Sequence, residues 1–370
     1  MKMEDAGSFA LSRIFRWKPR LARVIVEKFG DACSVFGLTE EQLKEAMGPY
    51  SSYPHDIAGT SLKEEMAELE RLRDRGYNWI GFDNENFPIS LNECDDGPMG
   101  LFVRSSSDIG SVFSPEMISV VGTRDISSYG SQWCRKTVEA LALSRQRPSI
   151  VSGLAFGVDI TAHLAALREG LPTIAVLGTG IDRIYPTRHE SFARMIIQTP
   201  SSAIVSEYPP GTSVTATNFL YRNRIIAGLS KATVLVESRL KGGGMSTARQ
   251  AASYNRDVFA VPGRNDDVRS QGCNYLIGAN IASALISPDF LLDALDYDGG
   301  KRRTQGSRHK PPEGKDRIIL DKIRSCRGIG IEQIAQQTGF PYGETSSSVY
   351  RMEAEGLIEI DIMQCCSINE

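Results

Sequence analysis

Six times between residues 118 and 264 a short apolar run ends in a glycine- or proline-bearing loop: VVGTR, VSGLAFG, VLGTG, VSEYPPG, VESRLKGGG and AVPGR. Strands are predicted at Ile118–Val121, Ser149–Ser152, Thr173–Leu177, Ala203–Ser206, Thr233–Val236 and Val258–Val261. Helical periodicity separates most of them, over Tyr129–Arg145, Asp159–Glu169, Ser191–Gln198, Arg224–Leu229 and Thr247–Tyr254. Short apolar strands alternating with helices imply an α/β fold whose parallel sheet is covered on both faces. Ligands of such sheets bind beyond the carboxyl ends of the strands, where all six loops lie.

The junction Ser149–Gly170 shows what those loops offer. Gly153 and Gly157 bracket a tight turn, and Ile160, Leu164 and Leu167 then mark one face of a helix. A strand passing through glycines into a helix N-terminus aims unpaired backbone N–H groups at an anion, usually a phosphate. A plain structural turn has the same pattern. Gly242-Gly243-Gly244 before Ser246-Thr247 repeats the construction. Small-molecule motifs are absent: there is no GxxxxGK[ST], Gly122-Thr123-Arg124 is not GxGxxG, and Gly178-Thr179-Gly180 is too short. The expected ligand is anionic, with no NAD, ATP or other cofactor. Arg124, directly after the first strand, is a contact candidate. The segment FLYRNR, Phe219–Arg224, offers arginines for phosphate and Phe219 as a platform for a base. Arg124 and Arg222 are expected to hold phosphates from Gly-rich or helix-start loops. Phe219 and Tyr221 also suit a core. Asp159 and His163 stand at i, i+4 and resemble an acid/base pair, but an early-turn helix acid and a packing histidine account for them without chemistry.

The net charge of −3 argues neither for nor against nucleic acid. Its distribution says more: from Arg222 to Arg256 there are seven Lys or Arg residues and one acid, Glu237. Seven scattered cysteines without a CxxC pair indicate reduced thiols in a cytoplasm, and four histidines without ligand spacing indicate no metal. No stretch has signal-peptide or membrane-spanning character, so no membrane role is expected. Before the sheet, residues 1–80 read as short helices: Leu21–Phe29 closed by Gly30, Ala32–Phe36 closed by Gly37, a third capped by Thr39 with Gln42, and a fourth capped by Ser61 with Glu64. Such a set resembles SAM or helix-hairpin-helix modules. Residues 77–115 read as an extended lead-in, and 296–314 as a polar linker. Arg317–Arg324, Ile331–Thr338, Thr345–Glu355 and Leu357–Ile362 follow the order of a winged helix over 315–370. Glu344, Glu353 and Glu355 around its third helix would repel phosphate, which favours a protein contact.

SGLAFGVDITAHLAAL, SEYPPGT, FLYRNRIIAGLS, FAVPG and QGCNYLIGAN are similar to the signature blocks of the DNA-processing protein A (DprA/Smf) family, in the same order from about residue 80 to 290. The resemblance implies an extended Rossmann-like domain over 81–295 that binds single-stranded DNA, forms a homodimer and loads the RecA recombinase during natural transformation, without being an enzyme. By motif match Gly122, Thr123 and Arg124, Arg222, Asn223 and Arg224, and Gly243, Gly244, Ser246 and Thr247 are DNA-binding residues; the loop readings add Gly153, Leu154, Ala155, Gly157 and Phe219. Thr123 stands where the family has Ser, GGMSTA replaces its GSLITA, and His189 replaces its usual Asn. Two other readings stay open: a nucleotide N-glycosidase using Glu207 or Glu237, the acids at strand ends, and a nucleotide sensor signalling through the winged helix.

Overall fold

The computed structural model describes residues 3–113, 116–297, 314–326, 328–354, 357–360 and 365–368. Contacts divide the chain into two compact units, Met1–Gly300 and Lys301–Glu370.

The first unit is built on one sheet. Its strands are β1 (Asn78–Gly81), β2 (Gly100–Arg104), β3 (Met117–Val121), β4 (Ser149–Ser152), β5 (Thr173–Val176), β6 (Ala203–Ser206), β7 (Ala232–Leu235), β8 (Asp257–Ala260) and β9 (Ser283–Ala284). They lie in the order β1-β2-β6-β5-β4-β3-β7-β8-β9. From β6 to β9 every pairing is parallel, while β1 and β2 extend the β6 edge antiparallel. The chain steps outward from β3 to β6, then returns to place β7 on the other side of β3. The crevice of such a sheet opens where the direction reverses, at the carboxyl ends of β3 and β7.

Burial on both faces explains the uninterrupted apolar strands. One face carries the helices Ala216–Leu229, Gly243–Ser253 and Gln271–Gly278, with Val121, Val151, Ile174, Ile225, Ala248 and Leu276 in its core. The other carries Ser128–Leu143, Val158–Arg168 and Pro288–Ala294 around Ile118, Val120, Ile150, Val138, Ala162 and Leu291. Fully burying each Val, Leu or Ile contributes roughly 1.5–3 kcal/mol.

Helices Met3–Phe15, Pro19–Phe29, Ala32–Val35, Glu40–Met47, Tyr53–Ala58 and Leu62–Asp74 precede the sheet. They share a core of Leu11, Phe15, Ile25, Val35 and Leu43, while Phe9, Leu69 and Leu72 pack onto Trp79 and Phe102 of β1 and β2. Thr39 and Gln42 form the expected capping box. Ser61 makes no side-chain cap; only its carbonyl accepts, from Glu64 N at 3.0 Å. The boundary expected at residue 80 falls inside β1, which pairs along its length with β2. The lead-in 77–115 is thus in part sheet: β1 and β2 are buried almost throughout, so no alternation marks them as strands.

The second unit has helices Lys315–Ser325, Ile331–Thr338 and Tyr342–Ala354. Strands β10 (Ile329–Gly330), β11 (Ile358–Ile360) and β12 (Cys365–Ile368) pair antiparallel in the order β10-β12-β11. Ile319, Ile323, Ile334, Val349 and Met352 fill its core. Most of the linker 296–314, Glu355 and the end of the strand expected at Leu357–Ile362 lie outside the described residues.

Candidate functional site

A cavity of about 670 Å³ sits at the reversal point of the sheet. The loop after β3 contributes Gly122, Thr123 and Arg124, and the β4 junction contributes Ala155 and Asp159. Tyr185 enters from beyond β5, and Phe219, Arg222 and Asn223 from the helix Ala216–Leu229. Ser238, Arg239, Gly242, Gly243, Gly244 and Thr247 follow β7. Ten of the residues expected to bind ligand therefore share one wall. Gly153, Leu154, Gly157, Arg224 and Ser246 do not line it.

Those departures have physical causes. At the β4 junction two of the amides already have internal acceptors. Val158 N donates to the Thr123 carbonyl at 3.1 Å, and Ala155 N to the Asp159 carboxylate at 3.4 Å. Leu154, buried and left-handed at φ 57°, has its carbonyl held by His189 Nδ1 at 2.8 Å. His189, standing at the family's Asn position, is thereby a support for this loop, with its ring edge-on to Phe156. Gly157 sits at φ 75°, and any side chain there would run into the Thr123 carbonyl. Asp159 and the Thr123 carbonyl thus occupy part of the space in which the junction's amides were expected to meet a phosphate. Burial raises the Asp159 pKa, with the charge of Arg222 opposing.

Arg222 is not at a helix start. The helix begins at Ala216, capped by Thr215, whose hydroxyl accepts from Asn218 N at 3.2 Å. Arg222 is 4% exposed; its Nη1 donates to the Gly153 carbonyl at 2.9 Å and to the Val176 carbonyl. Burial lowers its pKa to about 10, against the pull of Asp159. It is a brace between the ends of β4 and β5 that also borders the cavity. Arg224 lies two residues on, about 200° around the helix. Its Nη2 donates to both Glu207 oxygens, at 2.6 and 2.8 Å, and its guanidinium lies over the Tyr221 ring. Burial works against that charge and Glu207 overcomes it, so the guanidinium pKa stands above its ordinary value. Asn223 donates to the Gly243 carbonyl at 3.4 Å, tying this helix to the loop after β7.

Arg124 is different. It is exposed, makes no ion pair among the described residues, and its guanidinium stands 6.0 Å from the centre of the half-buried Phe219 ring. Phe219 leans on Tyr185, ring centres 5.4 Å apart, and closes against Gly178. Opposite, the helix Gly243–Ser253 begins inside the glycine run, so Gly244, Ser246 and Thr247 belong to its first turns. A Cβ at Gly243 would meet nothing within 4 Å. The basic zone divides in the same way: Arg224, Lys231 and Arg256 pair with Glu207, Glu116 and Glu93. Arg239, Lys241 and Arg249 are exposed and make no ion pair among the described residues. Tyr185 and Arg239 are site residues that sequence reasoning missed; the basic zone was the signal for Arg239.

The acids considered for base release lie elsewhere. Glu207 is engaged by Arg224, and Glu237, 1% exposed, accepts from Ser127 N at 2.9 Å and Ser127 Oγ at 2.5 Å. Asp159 and His163 do not pair. The Thr173 hydroxyl donates to the Ile150 carbonyl, so His163 Nδ1–H donates to Thr173 Oγ1 at 2.7 Å, and burial lowers the imidazole pKa to about 3, which favours the neutral ring.

The family model for DNA recombination-mediator protein A matches residues 78–296, the sheet and its cavity together. The chain belongs to that family. It is 35% identical to Protein Smf of Synechocystis over 322 residues, covering 78% of this chain and 80% of that one. It is 33% identical to Protein Smf of Escherichia coli, covering 78% and 76%. The X-ray structure of DNA processing protein A from Streptococcus pneumoniae superposes with a TM-score of 0.56 at 30% identity, over 70% of this chain and 92% of that one. DNA processing protein A from Helicobacter pylori, described for its single-stranded DNA binding mode, gives 0.53 at 30% identity, over 60% and 97%. The resemblance carried by the strand-end loops is therefore the family itself. No helix among the described residues is long and apolar enough to cross a membrane.

Proposed function

We propose that the chain binds single-stranded DNA non-covalently in the cavity at the ends of β3, β4 and β7, and delivers it to the RecA recombinase as a cytoplasmic homodimer. The observation that carries this is Arg124: an exposed cation with no ion pair among the described residues, poised beside an aromatic ring at the cavity wall. Phosphate on Arg124, a base against Phe219 and the amide end of Gly243–Ser253 suit a single strand better than a stacked duplex. The Helicobacter pylori relative's strand-binding mode supports the ligand, and the family's description as a recombination mediator supports the recombinase. In the second unit, Lys315 pairs with Glu344 and Arg351 with Asp316, in keeping with a protein contact.

Fluorescence anisotropy with labelled single-stranded and duplex oligonucleotides tests the reading, together with a search for released base or cleaved strand. Preferential single-strand binding without product is expected; equal affinity for duplex, or any product, overturns it. Phe219→Ala should weaken binding by about 1–3 kcal/mol with little change in salt dependence. If the loss instead tracks a melting temperature lowered by several degrees, Phe219 is a core residue and the stacking role is wrong.

A further inference from the structure

A second cavity, of about 400 Å³, lies between the end of the helix Met3–Phe15 and the loop after β6. Its volume falls within the range of small-molecule sites, roughly 300–1,000 Å³. Trp17, 45% exposed, stands over Tyr208 and Tyr221 with ring centres 5.8 and 4.9 Å away. Arg16 precedes it in the left-handed region at φ 41°, where a helix end ordinarily takes glycine. That backbone sets the direction in which Arg16 and Trp17 leave the helix. Arg16 is exposed and makes no ion pair among the described residues, whereas Arg13 beside it is held by Glu65 at 2.9 Å. The wall also carries Tyr208, 8% exposed, whose hydroxyl has no hydrogen-bond partner, and Glu207, the carboxylate held by Arg224. A buried hydroxyl without a partner is costly, and proteins tolerate such groups chiefly where function requires them.

We propose that this cavity is a second nucleotide site, with a base stacked on Trp17 and its phosphate held by Arg16. An aromatic face beside a free guanidinium selects a flat ring carrying an anion. The polar edge of a base finds donors and acceptors in a wall that mixes hydroxyls with a carboxylate. Thr212 and Ser213 line this cavity, and the next residues, Val214 and Thr215, line the first. The nucleotide is therefore either free in solution or part of a strand running along 212–215 from the first cavity. The second source rests on the proposed single-strand binding; the first does not.

The full chain is titrated with dAMP, followed by isothermal titration calorimetry, and with labelled oligothymidylates of increasing length. The variants are Trp17→Ala, Trp17→Phe, Arg16→Ala and, for the first cavity, Arg124→Ala. A free nucleotide gives dAMP binding that weakens at least about fivefold in Trp17→Ala and Arg16→Ala, the low end of one lost stacking contact. Trp17→Phe and Arg124→Ala then keep it. A strand gives no dAMP binding, but the same loss for long oligonucleotides and not for the shortest. Either result supports the site. The proposal is overturned if neither probe distinguishes Trp17→Ala and Arg16→Ala from the unaltered chain. It is equally overturned if Trp17→Ala loses binding only with a lowered melting temperature while Arg16→Ala loses none. An Arg124→Ala variant that binds oligonucleotides normally refutes the first cavity alone, and the dAMP result still decides the second.

Discussion

The β4 junction around Gly153 and Gly157 and the β7 junction around Gly242–Gly244 are the same construction, a strand entering a helix through glycines, yet they differ in what their amides meet. At the first, the Thr123 carbonyl and the Asp159 carboxylate take the N–H groups, and Arg222 closes the loop from behind. At the second, the helix opens on Gly243 with free space around it, beside exposed Arg239 and Lys241. A glycine-rich loop before a helix is therefore not in itself an anion site. What sets the second apart is the open space at Gly243 and the exposed cations beside it. The closed junction is a structural part of the cavity wall, and the open one is available to the ligand.

If that contrast is right, substitutions at the closed junction cost stability and those at the open junction cost binding. The largest effect belongs to Asp159→Ala, which removes the acceptor of the Ala155 amide and a charge that favours the buried Arg222 guanidinium. Denaturant unfolding should show a loss of roughly 1–3 kcal/mol, the cost of leaving a buried polar group without its partner. A loss below about 1 kcal/mol would mean that the junction is not closed by this carboxylate.

The helix of the closed junction should also confer a pH dependence. Burial lowers the His163 pKa from 6.5 to about 3, so below pH 6.5 the unfolded chain takes up a proton that the folded one refuses. This contribution is fully present above pH 6.5 and falls as the pH drops toward 3. Near pH 5 the loss is about 2 kcal/mol relative to neutral pH. His163→Gln should lack that part of the slope; urea midpoints across the range, compared between the two proteins, measure it. Identical slopes would refute the neutral buried imidazole.

At the open junction, Gly243→Asp places a carboxylate where the phosphate is proposed to sit. Single-strand affinity should fall about tenfold, roughly 1.4 kcal/mol. Stability should stay level or rise by about 0.3–1 kcal/mol, since an acid suits a helix N-terminus. Reduced stability with unchanged binding would reverse the roles of the two junctions.

The parallel strands β3 to β8 were legible in the sequence to within a residue or so, because burial on both faces leaves apolar runs bounded by turn residues; the two-residue strand Ser283–Ala284 was not. The antiparallel strands Asn78–Gly81 and Gly100–Arg104 were not, since their pairing depends on partners distant in the chain. The start of the helix Ala216–Leu229 was misplaced to Arg224, although Thr215 and Asn218 carried a cap signal. That error also hid the fate of the two arginines: once the helix is extended, Arg222 and Arg224 must face opposite ways. The loops after β3, β4 and β7 were readable as one ligand edge. Which of their amides have internal acceptors was not, because Asp159, Thr123 and Arg222 meet only in three dimensions.

The central claim is that Arg124 holds a phosphate of a single strand. The direct measurement is oligothymidylate affinity as a function of salt for the unaltered chain and Arg124→Ala. The expected result is weaker binding and a log–log slope smaller by about 0.7, one phosphate contact on a single strand. Unchanged affinity and slope in a folded Arg124→Ala protein would contradict it.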